Sequence, residues 1–193
     1  MSSCSKVLFL FDFYGVLSSE IAPKWFKNHI KSEEDASILK NKYFEPADLG
    51  KYTFKETIDR MAYDLGYNSI DILEEMKSYA KLNIELLGKI VELRKKNRVG
   101  LLSNAAICIF DLLFPDLDFH IYFDKAFVSC DYKIKKPDLK FYNLAVDAFH
   151  EDFNEIYFVD DNISNIEVLK NTRIKGILYK NNEELFNLLD KYI

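Results

Sequence analysis

The sequence is short of the residues that interrupt or staple a fold. Its 193 residues include 4 Pro, 6 Gly and 3 Cys. Cys4, Cys108 and Cys130 are odd in number, widely spaced and form no CxxC. That argues against a disulfide framework or a zinc site and leaves reduced thiols as the expectation. His29, His120 and His150 are scattered and show no metal-ligand spacing. Positive charge is also scarce. With 26 Lys and Arg against 31 Asp and Glu, the net charge is −5 and the pI about 5.3. This argues against a general nucleic-acid binder, and an anionic substrate needs local cations or a metal to overcome the repulsion. The apolar run Val7 to Phe11 stops at Asp12, too short for a membrane span or a signal-peptide core. The expectation is a soluble, cytoplasmic protein that binds neither nucleic acid nor membrane.

What the sequence does have is apolar mass. Hydrophobic residues make up 49%, with 16 Phe and 12 Tyr, enough for one good core plus a smaller appended unit. Val7-Leu8-Phe9-Leu10-Phe11 reads as a strand buried on both faces, as in a parallel sheet. Residues 18–84 show no buried strand but helical patterns, over Pro23–Lys31, Glu33–Tyr43, Thr53–Leu65 and Ser69–Leu82. Thr53-Phe54-Lys55-Glu56 has the form of a capping box. From residue 85 helices and strands alternate. Helices are expected over 85–96, 105–113, 139–149, 164–171 and 183–192. Strands are expected at Val99–Leu102, Lys125–Val128, Glu155–Val159 and Lys175–Leu178, with residues 129–136 a polar loop. Alternation of this kind means a parallel sheet with right-handed crossovers. The expected organisation is an α/β, Rossmann-like core from residues 1–17 and 85–193, with an all-helical cap domain inserted over 18–84.

Four polar clusters follow apolar strands or lie in the loop beyond one: Asp12, Ser103-Asn104, Lys136 and Asp160-Asp161. In a doubly wound sheet such loops converge on one edge, outside the carboxyl ends of the strands. Three carboxylates brought together repel, so a hard divalent cation such as Mg²⁺ is the natural occupant. That cation, Lys136 and the Ser103 hydroxyl suit an anionic phosphoryl group, with Asp12 left as nucleophile.

These stretches resemble the motifs of the haloacid dehalogenase superfamily: Phe11-Asp12-Phe13-Tyr14-Gly15-Val16-Leu17, then Leu101-Leu102-Ser103-Asn104, then Lys136-Pro137-Asp138 with Phe141-Tyr142, then Phe158-Val159-Asp160-Asp161-Asn162. They occur in the superfamily's order, and the helical insert lies where it carries its cap. The resemblance implies an aspartyl-enzyme intermediate on Asp12, a substrate contact from Ser103, and Lys136 orienting Asp12. It also implies Mg²⁺ held by Asp12, the Tyr14 backbone carbonyl and Asp161, with Asp160 binding directly or through water. Asn104 is expected to shape the second loop and, with Ser103 and Tyr14, to contact the substrate, Tyr14 alternatively filling the interface between cap and core; Asn165 is expected to bond Lys136 or its loop. One position departs from the superfamily's phosphatases. They carry a second Asp two residues after the nucleophile, as general acid, where this chain has Tyr14. A tyrosine there resembles the 2-haloacid dehalogenases, whose halide leaving group needs no proton. Against that, the dehalogenases work without metal and lack the Asp160-Asp161 pair. The reading is therefore a Mg²⁺-dependent phosphatase of a small phosphorylated metabolite. The alternatives are a dehalogenase-like hydrolase and a non-catalytic binding member of the fold.

Overall fold

The computed structural model describes residues 6–193. Cys4 lies outside them; Cys108 is an exposed free thiol and Cys130 a buried one. β1 (Val7–Phe11) is followed by four helices, α1 (Ala22–His29), α2 (Glu33–Asp48), α3 (Phe54–Leu65) and α4 (Ser69–Tyr79). Next come α5 (Ile84–Arg94), β2 (Arg98–Ser103), α6 (Ile109–Leu113), α7 (Phe119–Tyr122), β3 (Lys125–Val128) and α8 (Ser129–Tyr132). The chain ends with α9 (Leu139–Asp147), β4 (Glu155–Asp160), α10 (Ile163–Glu167), β5 (Ile174–Leu178) and α11 (Asn182–Leu189). Among the described residues, no helix is long and apolar enough to cross a membrane.

The five strands form one parallel sheet in the order β3-β2-β1-β4-β5. β1 is central, and all five of its residues are buried. Its side chains alternate between two cores, as the period of two requires. Val7, Phe9 and Phe11 join the larger core with α5 and α11, whereas Leu8 and Leu10 join a second core under α9. Parallel pairing brings every strand's carboxyl end to one edge. Phe11 lies beside Leu101 of β2 and Val159 of β4, so the residues that follow these strands gather there.

Several elements differ from the sequence pattern. α2 runs beyond Tyr43, through Pro46, to Asp48. Ala105 and Ala106 are buried but not helical, and α6 starts only at Ile109. The expected polar loop at 129–136 opens with a helical turn whose Ser129 and Cys130 are buried. The capping box of α3 forms as read: Glu56 N donates to Thr53 Oγ1 (3.2 Å) and Thr53 N to Glu56 Oε2 (2.8 Å).

The four-helix segment is tied to the sheet at both ends. Ser19 N donates to the Lys81 carbonyl (2.9 Å) and Asn83 N to the Leu17 carbonyl (2.8 Å), so its two connections run side by side. Further along, Ser129 Oγ donates to the Asp48 carbonyl (2.6 Å), and Phe54 N donates to the Ile107 carbonyl (2.9 Å). These bonds hold the carboxyl end of α2 over the sheet edge.

Candidate active site

Asp12 follows β1 directly, and its backbone N–H still donates to Val159 of β4 (2.8 Å). The side chain turns back: Oδ1 accepts from the Phe13 N–H (2.7 Å) and pairs with Lys136 Nζ (2.7 Å). The chain then reverses tightly, with Leu17 N and Ser18 N both donating to the Phe13 carbonyl. Gly15 lies in this turn at φ +83°. A Cβ there would stand 2.2 Å from Asp161 Oδ2, so the Asp161 carboxylate rests on bare backbone. Only glycine meets both demands.

Lys136 arrives from the loop between α8 and α9. Asn104 fixes that loop reciprocally, its Nδ2 donating to the Lys136 carbonyl (3.0 Å) and its Oδ1 accepting from the Lys136 N–H (2.8 Å). The ammonium, with its side chain wholly buried, bridges Asp12 and Asp160 at 2.7 Å each. Asp160, also fully buried, accepts from Asn165 Nδ2 (3.0 Å) and from the Asn162 N–H (2.8 Å). Tyr142, buried in the second core, donates its hydroxyl to the Asn165 carbonyl (3.0 Å). Asn165 thus acts on Asp160, not on Lys136 or its loop as expected.

Asp12, Asp160 and Asp161 each place a carboxylate oxygen within 4.8 Å of the others. Burial pushes the Asp12 carboxyl well above its ordinary value; Lys136 opposes this and Asp160 adds to it. Burial and then Asp160 also raise Asp161. Burial disfavours the Lys136 ammonium, but the charges of Asp12 and Asp160 outweigh it and keep the group protonated. Three carboxylates with one ammonium, which pairs only with Asp12 and Asp160, leave the cluster short of positive charge.

The cluster opens into a cavity of about 340 Å³. Asp12, Tyr14, Asn104, Lys136 and Asp161 line it, whereas Ser103 and Asp160 do not. Ser103 Oγ is fully buried and has no hydrogen-bond partner among the described residues. The Tyr14 ring lies parallel to Phe110, and its buried hydroxyl likewise has no such partner. Burial, then the charges of Asp48, Asp12 and Glu20, hold that phenol well above its ordinary value, so it stays protonated.

The helix side of the cavity holds residues the sequence pattern does not single out: Glu20 from the strap after β1, and Lys40, Phe44 and Asp48 from α2. The last three are four residues apart, hence on one helix face. Burial raises the Glu20 and Asp48 carboxyls to about 7. Asp48 is the last residue of α2, where the macrodipole disfavours a carboxylate, a position that emerges only because the helix runs through Pro46.

Comparison with known proteins agrees with this fold. The family model for haloacid dehalogenase-like hydrolases matches residues 7–172. A HAD family enzyme from Bacteroides thetaiotaomicron, crystallised with magnesium and inorganic phosphate, superposes with a TM-score of 0.75 at 21% identity, covering 94% of this chain and 99% of its own. L-2-haloacid dehalogenase from Xanthobacter autotrophicus, with chloropropionic acid covalently bound, gives a TM-score of 0.61 at 19% identity over 95% of this chain and 82% of its own. A curated relative, drimenol cyclase drtB of Aspergillus calidoustus, is 23% identical over 170 residues. The match takes in 88% of this chain but spans only 29% of that relative's length.

Proposed function

The chain belongs to the haloacid dehalogenase-like hydrolases, and on that premise we propose that it is a Mg²⁺-dependent phosphatase acting on a small phosphorylated metabolite. The observation that carries this is the set of three carboxylates around one ammonium, two of them open to the cavity. Residues 1–17 and 85–193 form the catalytic core, and the helices of residues 18–84 act as the cap that closes over the substrate.

The donor set fits the cation. It is hard oxygen throughout, it carries excess negative charge, and the Cβ-free backbone of Gly15 leaves Asp161 its place beside Asp12. Asp12, Asp161 and the Tyr14 backbone carbonyl would hold Mg²⁺. Asp160, committed to Lys136, Asn165 and the Asn162 N–H, supports it from behind. When bound, the cation offsets the repulsion between Asp12 and the substrate's phosphoryl oxygens.

In the reaction, Asp12 attacks phosphorus and the bond to the leaving oxygen breaks, giving an aspartyl-phosphate, while the leaving oxygen takes its proton from solvent. Water then attacks that phosphorus and gives up a proton to solvent, releasing phosphate and restoring the Asp12 carboxylate. Lys136 holds Asp12 in line and neutralises part of its charge. The unpartnered Ser103 hydroxyl is assigned to a phosphoryl oxygen, a contact that requires its loop to open, since Ser103 does not line the cavity in this structure, and Asn104 keeps Lys136 in place.

One observation favours a second reading. Tyr14 stands where a phosphatase of this family has its general acid, and a halide needs no proton on leaving. The Asp161 carboxylate beside Asp12 opposes it, because it repels a carboxylate substrate. The test is phosphate release from 4-nitrophenyl phosphate with Mg²⁺, with chelator, and with Asp12→Asn, beside halide release from 2-chloropropionate without metal. We expect phosphate release that falls at least about 10³-fold on either change. Turnover that ignores chelator or survives Asp12→Asn overturns the proposal. Metal-free halide release supports the dehalogenase, and silence in both assays leaves a binding protein.

A further inference from the structure

The helix side of the cavity is charged, and its charges do not balance within it. At about 30 Å³ for each water-sized group, 340 Å³ holds about ten non-hydrogen atoms. That is room for a phosphoryl group with a short leaving group. Glu20, Lys40 and Asp48 line the same cavity from the segment of residues 18–84. Lys135 is taken by Glu45, at 2.9 Å. The side chains of Glu20, Lys40 and Asp48 form no ion pair within 4.0 Å among the described residues. With both carboxyls ionised, their sum is one excess negative charge, in a lining that also holds Asn41, Phe44, Phe54 and Ile109.

Resting on the phosphatase reading, we infer that this helix side of the cavity takes an ammonium group, and that the substrate is the phosphate ester of a small amino alcohol. Glu20 and Asp48 accept the ammonium hydrogens, and Lys40 keeps the two carboxylates from repelling each other. An alkyl leaving group would seal both carboxylates away unpaired, which is costly. An acidic one would add a third negative charge. A polyol would supply hydrogen bonds but leave the charge unbalanced.

The ionisation of the two carboxyls agrees. Burial, with Asp161 and Asp160 adding, raises Glu20 to about 7 against the pull of Lys40 and Lys136. Burial also raises Asp48 to about 7, helped by Glu45 and opposed by Lys135, Lys40 and Lys136. The cations present thus leave both carboxylates undercompensated. Asp48 is also well anchored for the task, since Ser129 Oγ holds its backbone carbonyl at 2.6 Å.

Three esters of nearly equal size separate the possibilities: O-phosphoethanolamine, propyl phosphate and 2-phosphoglycolate. With Mg²⁺, kcat/KM should fall in that order, the ammonium ester exceeding the alkyl ester roughly 10–100-fold. In Asp48→Asn, and separately in Glu20→Gln, the ratio of ammonium to alkyl ester should drop towards one. Equal efficiency on all three esters overturns the inference, as does a ratio that neither substitution moves. Circular dichroism checks that each variant folds, and one folded variant suffices. If no ester turns over, the phosphatase reading fails separately. Calorimetric titration of Asp12→Asn protein with the same three compounds then decides. Tighter binding of O-phosphoethanolamine than of propyl phosphate sustains the ammonium site; equal binding, or none, removes it.

Discussion

On the sheet side of the site, Asp12, Lys136 and Asp160 are sealed in and paired, with Asn165 and two backbone N–H groups completing the set. On the helix side, Glu20, Lys40 and Asp48 face the same cavity without an ion pair among the described residues. Burial is expensive for a charge in either place. The sheet side offsets part of that cost within the protein, although burial still raises Asp12, so removing one partner there strands the others. The helix side has no ion pair to offset it, and its carboxyls are raised as well. Pairing marks the frame that holds Asp12; lack of pairing marks the wall on which the ammonium proposal rests.

The sharpest way to break this contrast is Lys136→Met. It keeps the length of the side chain but removes the ammonium that Asp12 and Asp160 share. Breaking a buried ion pair from one side costs roughly 3–5 kcal/mol. Urea denaturation should show a loss of that size, together with loss of phosphatase turnover. A loss below about 1 kcal/mol would mean that the pair is no part of the frame.

Gly15→Ala tests the junction between the halves. It puts a Cβ at φ +83°, into the place of the Asp161 carboxylate. Strain and overpacking together cost roughly 2–4 kcal/mol. The displaced Asp161 should also weaken Mg²⁺ binding in a calorimetric titration. Unchanged metal affinity would separate Asp161 from the cation.

A smaller loss is expected from Ser129→Ala. Ser129 Oγ accepts from the Ala105 N–H at 3.0 Å and donates to the Asp48 carbonyl at 2.6 Å, joining sheet edge to helix. Leaving these groups unpaired costs about 1–3 kcal/mol. With the end of α2 loosened, KM should rise more than kcat falls. A kcat effect alone would show that Ser129 serves the sheet side only.

The same contrast explains what the sequence made legible. The strands were readable because a parallel sheet demands continuous apolar runs, and Asp12, Lys136 and Asp160-Asp161 were readable because each ends a strand or precedes Pro137 in a recurring pattern. The capping box at Thr53 is local chemistry and formed as read. The length of α2 was not readable, because Pro46 resembles a stop and only packing carries the helix on to Asp48. Ser129 looked like loop because its burial depends on Asp48 and Ala105, distant in sequence. Glu20 and Lys40 resemble ordinary surface charges; only the fold shows that they share a wall. Even within the legible motifs, Asn165 reached Asp160 rather than Lys136, a choice made by side-chain packing.

The smallest effect sharpens the comparison most, because its sign reverses the usual expectation for losing a charge. The Asp48 carboxyl stands at about 7 in the fold, against an ordinary 3.8. A carboxyl raised by folding contributes stability that is fully present below its unfolded value and is lost as pH rises through about 7. Above that, the fold carries an undercompensated carboxylate among Lys135, Lys40, Glu45 and Lys136. The full displacement corresponds to about 4 kcal/mol at most, and partial exposure of the side chain reduces this to about 1 kcal/mol. Without added metal, Asp48→Asn should therefore be more stable than the parent protein at pH 8 and no more stable at pH 5. Chemical denaturation at the two pH values reads this directly. If Asp48→Asn is instead less stable at pH 8, the carboxylate is paired after all, and the helix side of the cavity belongs with the frame.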